Sequence, residues 1–292
     1  MRVTQSMMTR TLISNLNKGR ESMSTSQSIM STGKNLQSAS DDPVKYATTT
    51  RYKETYNQNE QYQKNILDAK GWVDTTSSIL NDIYSNVLSV KDLAYSAADS
   101  SSSTEELETM ADQLEGFISE IYSLTNSKYL GKYLFSGTRT VEDKPFDYDG
   151  STVDYIGNEG KITRRISEGY DATINISGDE IMDTDVFENL ISLRDAMLAG
   201  DRSAISDSIG ALEQSAQDIL SIQSKTGSLS NLLDMTNNRL EVANTNLSSL
   251  ISELEDADLT EVIAQYNSNE MAYQAALQVT SSVLNLNILD FL

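Results

Sequence analysis

Ten positions (Ile66, Ala69, Val73, Thr76, Leu80, Ile83, Val87, Val90, Ala94 and Ala97) follow one another at alternating steps of three and four, and nine are apolar. That repeat is the a/d seam of a coiled coil, held over four heptads. It commits the stretch to a helix of roughly 48 Å, with a narrow apolar face that needs a helical partner. Prolines occur only at Pro43 and Pro145, so little interrupts long helices. A serine-rich break from Asp99 to Thr104 provides a turn. Thr104 is expected to cap the next helix, with Glu105, Glu106 and Glu108 at its positive end. The seam then resumes as Leu107, Met110, Leu114, Phe117, Ile121 and Leu124. Two helices joined so closely are expected to lie antiparallel.

Helical spacing fails over residues 131–184. Phe146–Asp147–Tyr148–Asp149–Gly150–Ser151–Thr152–Val153–Asp154–Tyr155–Ile156 predicts two short strands around an Asp-Gly turn, and 161–166 and 172–176 predict two more. Helix returns near Asp185 with Val186, Leu190, Leu193 and Met197 on one face and Gly200 as its stop. Ile205, Ile209, Leu212, Ala216 and Ile219 line the next helix. A further long helix carries Leu229, Leu233, Leu240, Leu247, Ile251 and Leu254. The two ends hold matching stripes: Leu12, Leu16, Met23 and Met30 at the start, and Ile263, Tyr266, Tyr273, Leu277, Leu284, Ile288 and Phe291 at the finish. Each is too narrow to be a core alone, so these residues are the candidate subunit interface. Both end segments are rich in Ser, Thr, Asn and Gln, which makes them marginal helices by themselves and suggests that they order when subunits pack.

The fold class that follows is mainly α with a small β insertion: a long antiparallel helical bundle or coiled coil with its N- and C-terminal helices paired. Five segments are expected: a terminal-helix region at 1–62 pairing with 255–292, two halves of a helical rod at 63–130 and 185–254, and the β-rich, outward-facing insertion at 131–184.

Charge narrows the function. Acids number 43 and bases 22, for a formal charge of −21 and a pI near 4.3. A nucleic-acid binder needs a basic surface, and so does a protein that docks on anionic lipid. Residues 1–60 hold eight bases and five acids, so the acidity belongs to the body. Neither cysteine nor histidine occurs, which removes disulfides, thiolate nucleophiles, Cys/His zinc sites and histidine-dependent triads. The N-terminus lacks the apolar core of a cleavable signal, and no run reaches the length of a membrane span.

Candidate chemistry does not assemble. Ser31–Thr32–Gly33–Lys34 has the Ser-x-x-Lys spacing of an acyl-enzyme but no second motif beside it. Gly33–Lys34 fails as a phosphate loop, because Ser28 replaces the first glycine and Asn35 the magnesium-binding hydroxyl. Asp147, Asp149 and Asp154, or Asp179, Glu180, Asp183 and Asp185, lack the calcium-loop spacing and read as solvated turn residues. Tyr52, Tyr56 and Tyr62 read as packing or interface residues, since no excess of bases accompanies them. The expectation is a non-enzyme without metal or cofactor.

Three stretches resemble the bacterial flagellin superfamily: Ser31–Thr32–Gly33–Lys34–Asn35–Leu36–Gln37–Ser38–Ala39–Ser40–Asp41–Asp42–Pro43, Asp74–Thr75–Thr76 with the seam behind it, and Gln278 to Leu289. Lys34–Asn35 stands where flagellins commonly place Leu-Arg. Asn126–Ser127–Lys128–Tyr129–Leu130–Gly131–Lys132–Tyr133–Leu134–Phe135–Ser136–Gly137–Thr138, Lys144–Pro145–Phe146 and Ile176–Ser177–Gly178–Asp179–Glu180 resemble the hook-associated junction branch. The resemblance implies export through the flagellar type III apparatus, with a chaperone, followed by assembly of terminal helices into a ring of identical subunits. It further implies contact with the first hook–filament junction protein on one side and flagellin on the other. A short flagellin forming the filament itself, or a secreted helical effector or adhesin, are the competing readings. An outward β insertion would be more dispensable than the terminal helices.

Overall fold

The computed structural model describes residues 5–99 and 103–289. The chain forms two compact units, one of residues 1–57 with 243–292 and one of residues 58–242.

Helix α1 spans Gln5–Thr32 and α2 spans Pro43–Ala98. The start of α2 is fixed well before Ile66: the Asp42 carboxylate accepts from the amides of Val44 and Lys45 at 3.0 Å each, and Pro43 occupies the first helical position. All ten seam positions from Ile66 to Ala97 are at most 2% exposed. The one polar member, Thr76, donates its hydroxyl to its own helix at the Trp72 carbonyl, 2.9 Å away, so its burial leaves nothing unsatisfied.

Helix α3, Thr104–Thr125, is capped by Ser103, not Thr104. Ser103 and Glu106 form a reciprocal capping box, with Ser103 N donating to Glu106 Oε2 at 2.6 Å and Glu106 N donating to Ser103 Oγ at 3.3 Å. The three-residue spacing between hydroxyl and glutamate decides the register. That backbone bond from Ser103 also holds the Glu106 carboxyl below its usual value. The buried face of α3 is Leu107, Ala111, Leu114, Ile118, Ile121 and Thr125. Met110, Phe117 and Leu124 only flank it, half-buried. The face is turned by one position from a simple seam because α3 also packs on α5 (Val186–Ala199), inside a cluster with several partners.

Between these helices come six strands: β1 (Lys128–Tyr129), β2 (Lys132–Tyr133), β3 (Phe146–Tyr148), β4 (Val153–Tyr155), β5 (Thr163–Ser167) and β6 (Tyr170–Thr173). They pair as three separate antiparallel hairpins. The last two match the expected strands closely. The first begins ahead of residue 131 and turns on Leu130 and Gly131, at φ 48° and 79°. A left-handed leucine costs about 1–2 kcal/mol relative to glycine.

The insertion is part of the core. Leu134, Phe135 and Phe146 are fully buried, and the Phe146 ring lies 5.3 Å from that of Tyr155 and 6.0 Å from that of Phe187 on α5. Asn126, after α3, accepts from Phe146 N at 3.1 Å and donates to Phe146 O at 3.3 Å, so it docks β3 like a short strand. Arg194 on α5 donates to Glu115 Oε2 at 2.9 Å, Tyr148 Oη at 3.0 Å and Gly150 O at 2.9 Å, which joins α3, α5 and the β3–β4 hairpin. Burial, with the Glu115 carboxylate behind it, pushes the Tyr148 phenol up. Gly137 adopts φ 65°, and a Cβ there would overlap the Asn158 carbonyl. Gly137→Ala is therefore expected to cost about 2–4 kcal/mol in urea unfolding, from backbone strain plus overpacking.

After α4 (Gly178–Met182) and α5, which closes on left-handed Gly200, α6 runs unbroken over Arg202–Glu255. Two helices were expected here. Thr226 is the residue that hides their continuity. Ile205, Leu212, Ile219, Thr226, Leu233 and Leu240 lie seven apart and are all buried. The Thr226 hydroxyl bonds to Ile222 O at 3.0 Å, so a threonine serves a seam position. Antiparallel pairing of α2 with α6 shows in their cross-bonds. Lys70 donates to Asp234 at 2.8 Å, Ser230 to Asp74 at 2.8 Å and Gln223 to Asn81 at 3.3 Å, one number falling as the other rises.

Candidate assembly surface on the terminal helices

The unit of residues 1–57 and 243–292 is built on α1 and α7 (Leu259–Leu289), joined by a bracket at Gly33–Asp42. Gly33 ends α1 in the left-handed conformation at φ 70°, its amide donating to Ile29 O at 2.7 Å. Beyond it the chain runs beside the end of α6. Asn35 N and Leu36 N both donate to Glu255 O, at 2.7 and 3.3 Å, and Ala257 N donates to Gly33 O at 3.0 Å. Asp41 folds the next turn by accepting from the amides of Gln37 and Ser38 at 2.9 and 2.7 Å. Those backbone bonds, Ser38 foremost, hold its carboxyl below the usual range. Asp258 then caps α7 through Thr260 N at 2.8 Å.

Helices α1 and α7 pack side by side. Gly19 meets Tyr273, where an added Cβ would lie 3.4 Å from the ring. Ser26 and Ile29 near the end of α1 and Val262 and Gln265 near the start of α7 line one groove of about 300 Å³. The pairing is thus antiparallel. Of the interface residues expected from the sequence, Leu12, Leu16, Met23, Met30, Tyr266 and Tyr273 are half-buried. Ile263 and Leu277 are 48% and 44% exposed. Leu284 and Ile288 lie on α7 with side chains outside the described residues, as does all of Phe291. Among the described residues of this unit, Leu36, 5% exposed, is the single buried apolar side chain. Leu36 belongs to the bracket, so the described faces of the helix pair have almost no core of their own.

Two family descriptions match this chain. The bacterial flagellin N-terminal helical region covers residues 3–140, and the bacterial flagellin C-terminal helical region covers residues 209–292. The chain belongs to the bacterial flagellin family. Within that family, flagellar hook-associated protein 3 of Escherichia coli is 22% identical over 89% of each chain. A flagellin of Salmonella choleraesuis is 26% identical but is matched over only 39% of its own length. The fold is similar to that of Bacillus cereus FlgL, with a TM-score of 0.62 and 22% identity over 69% of this chain and 99% of that one. It is also similar to the flagellar junction protein FlgL of Legionella pneumophila, with a TM-score of 0.61 and 13% identity over 73% and 100%. The flagellar, hook-associated character and the mainly helical fold with its β insertion are borne out.

Lys34, where flagellins commonly place another residue, has a local task in this member of the family. Its Nζ lies 3.2 Å from Glu255 Oε2, and Lys53 Nζ donates to Glu255 Oε1 at 2.6 Å. Burial opposes the Glu255 charge, but the bonds from Lys53 and Lys34 outweigh it and hold the carboxyl below its ordinary value of 4.5. The depressed value sets the sign of the pH effect. The triad stabilises the bracket fully above pH 4.5, and that contribution is lost as pH falls through the lower folded value. Sequence reading missed the triad, because Lys34, Lys53 and Glu255 share no local pattern. Glu255→Gln is expected to weaken the bracket by about 1–2 kcal/mol and remove the triad's share of its acid dependence, leaving that of Asp41, read as faster hydrogen exchange at the Asn35 and Leu36 amides.

Proposed function

We propose that this protein is a structural adaptor at the hook–filament junction of the bacterial flagellum. It would be exported through the flagellar type III apparatus with a chaperone and assemble as a ring of identical copies between the first junction protein and flagellin. One observation carries this reading. The middle unit buries a complete core, whereas the terminal unit, among the described residues, buries one apolar side chain, Leu36 in the bracket, and leaves Met7, Met8, Ile13, Ile263, Met271, Leu277 and Val279 on its two helices exposed. Burying a leucine-sized group is worth about 1.5–3 kcal/mol, so copies that cover these stripes against one another gain stability that the isolated chain lacks. At −21 per subunit the bodies repel, and apolar burial has to outweigh that repulsion, with salt screening in its favour. The match to a hook-associated relative over nearly the full length of both chains supports the junction over a filament role.

Deleting the gene tests the reading. Cells are expected to keep their hooks, lose their filaments and release flagellin into the medium, with recovery when the full chain is supplied. Filaments of normal length without it would refute the proposal.

A further inference from the structure

The β1–β2 hairpin carries a cost that no contact among the described residues explains. Leu130 sits at its turn with φ 48° and is 79% exposed, at a position where Asn, Asp or Gly would fit without strain. Lys128 and Lys132 stand on the two flanking strands. Strand alternation directs them to opposite faces of the hairpin, one on each side of the leucine. Neither makes an ion pair among the described residues; Lys128 Nζ lies 4.2 Å from the Tyr133 ring.

A second unexplained position has the complementary shape. Gly116 lies in the middle of α3 on its exposed face, and an added Cβ would meet nothing within 4 Å. Some glycines have evident reasons, such as Gly71 beneath Tyr129 and Gly137 against Asn158, whereas Gly210 and Gly227 on α6 are as open as Gly116 but carry no acid four residues to either side. Gly116 weakens its helix and relieves no internal contact. Four residues to either side, on the same helix line, are the exposed acids Asp112 and Glu120. The result is a shallow notch between two negative charges.

We infer that Leu130 of one copy seats on Gly116 of a second copy of this chain, with Lys128 and Lys132 reaching Asp112 and Glu120. A basic, apolar tip on a chain of −21 is complementary to the acidic body of its own neighbour. Knob and notch are different surfaces, so the contact is head-to-tail and propagates around a closed ring. The inference rests on the self-assembly reading and adds the contact that sets the direction of the ring.

The absence of native cysteine makes the test clean. Full-length Leu130→Cys/Gly116→Cys is expressed in cells lacking the native copy, and isolated flagella are oxidised and run on a non-reducing gel. The expected result is a ladder of dimers and larger species that neither single variant gives. No ladder from flagella that contain the variant would overturn the contact. So would a ladder from Leu130→Cys/Gly210→Cys and none with Gly116→Cys, since Gly210 is the other open helical glycine with acids nearby, Asp207 and Glu213. Charge exchange serves as the second measurement and decides the matter if the cysteine variant is not incorporated. Lys128→Glu/Lys132→Glu is expected to cut incorporation about tenfold or more, and adding Asp112→Lys/Glu120→Lys is expected to restore it. Undiminished incorporation, or a loss that stays unrestored, would overturn the contact. Native protein missing from the boundary contradicts the assembly reading itself, whereas native protein present there without a ladder from the variant contradicts only the knob and notch.

Discussion

Ile263→Asp/Leu277→Asp is expected to abolish incorporation into flagella while leaving the purified monomer as stable as the parent. Both side chains stand on α7 about half-exposed, so a carboxylate at either is solvated in the free chain and disturbs no packing. Once copies cover the terminal stripes, each aspartate becomes a buried and unpaired charge. Truncating two half-exposed apolar anchors alone removes about 1.5–3 kcal/mol of burial per subunit, and the charge penalty adds to it. Removing residues 263–292 should have the same consequence for assembly. Circular dichroism of the monomer and sheared-flagella blots check the two halves separately, and normal incorporation of the double variant would refute the role given to α7.

Phe146→Ala reverses the pattern, with loss of stability in the monomer itself. Phe146 is fully buried and packs its ring against Tyr155 and Phe187, while Asn126 grips its backbone. The cavity left behind is expected to cost about 3–5 kcal/mol, measured by urea unfolding. The same packing revises the expectation that the β insertion is dispensable. Removing 131–184 also removes Leu134, Phe135, Ile166 and Ile181 from the core shared with α3 and α5. Its deletion is therefore expected to unfold the middle unit, and a deletion that melts like the parent would show that the shared core is not needed.

How far the sequence could be read depended on the range of each cause. The seam from Ile66 to Ala97 was legible because every step faces one partner helix, so periodicity and burial coincide. Register on α3 was off by one, since a Ser-Glu pair at the spacing of a capping box outweighs the nearest threonine and α5 pulls the buried face around. The unity of α6 was masked by Thr226, which is polar by composition but satisfied by its own helix. Asp42–Pro43 is a local start signal and reads directly; the Lys34–Glu255–Lys53 triad is made only by tertiary folding and has no local sign. The β1–β2 hairpin was hidden for another reason, because a leucine at a left-handed turn position defies the residue preference that marks hairpins.

The most direct test of the junction role is immunogold electron microscopy on intact flagellated cells, with antibody to the exposed segment Thr138–Lys144. Gold confined to a narrow band where hook meets filament is the result predicted. Label along the whole filament, or on no part of the appendage, would contradict it.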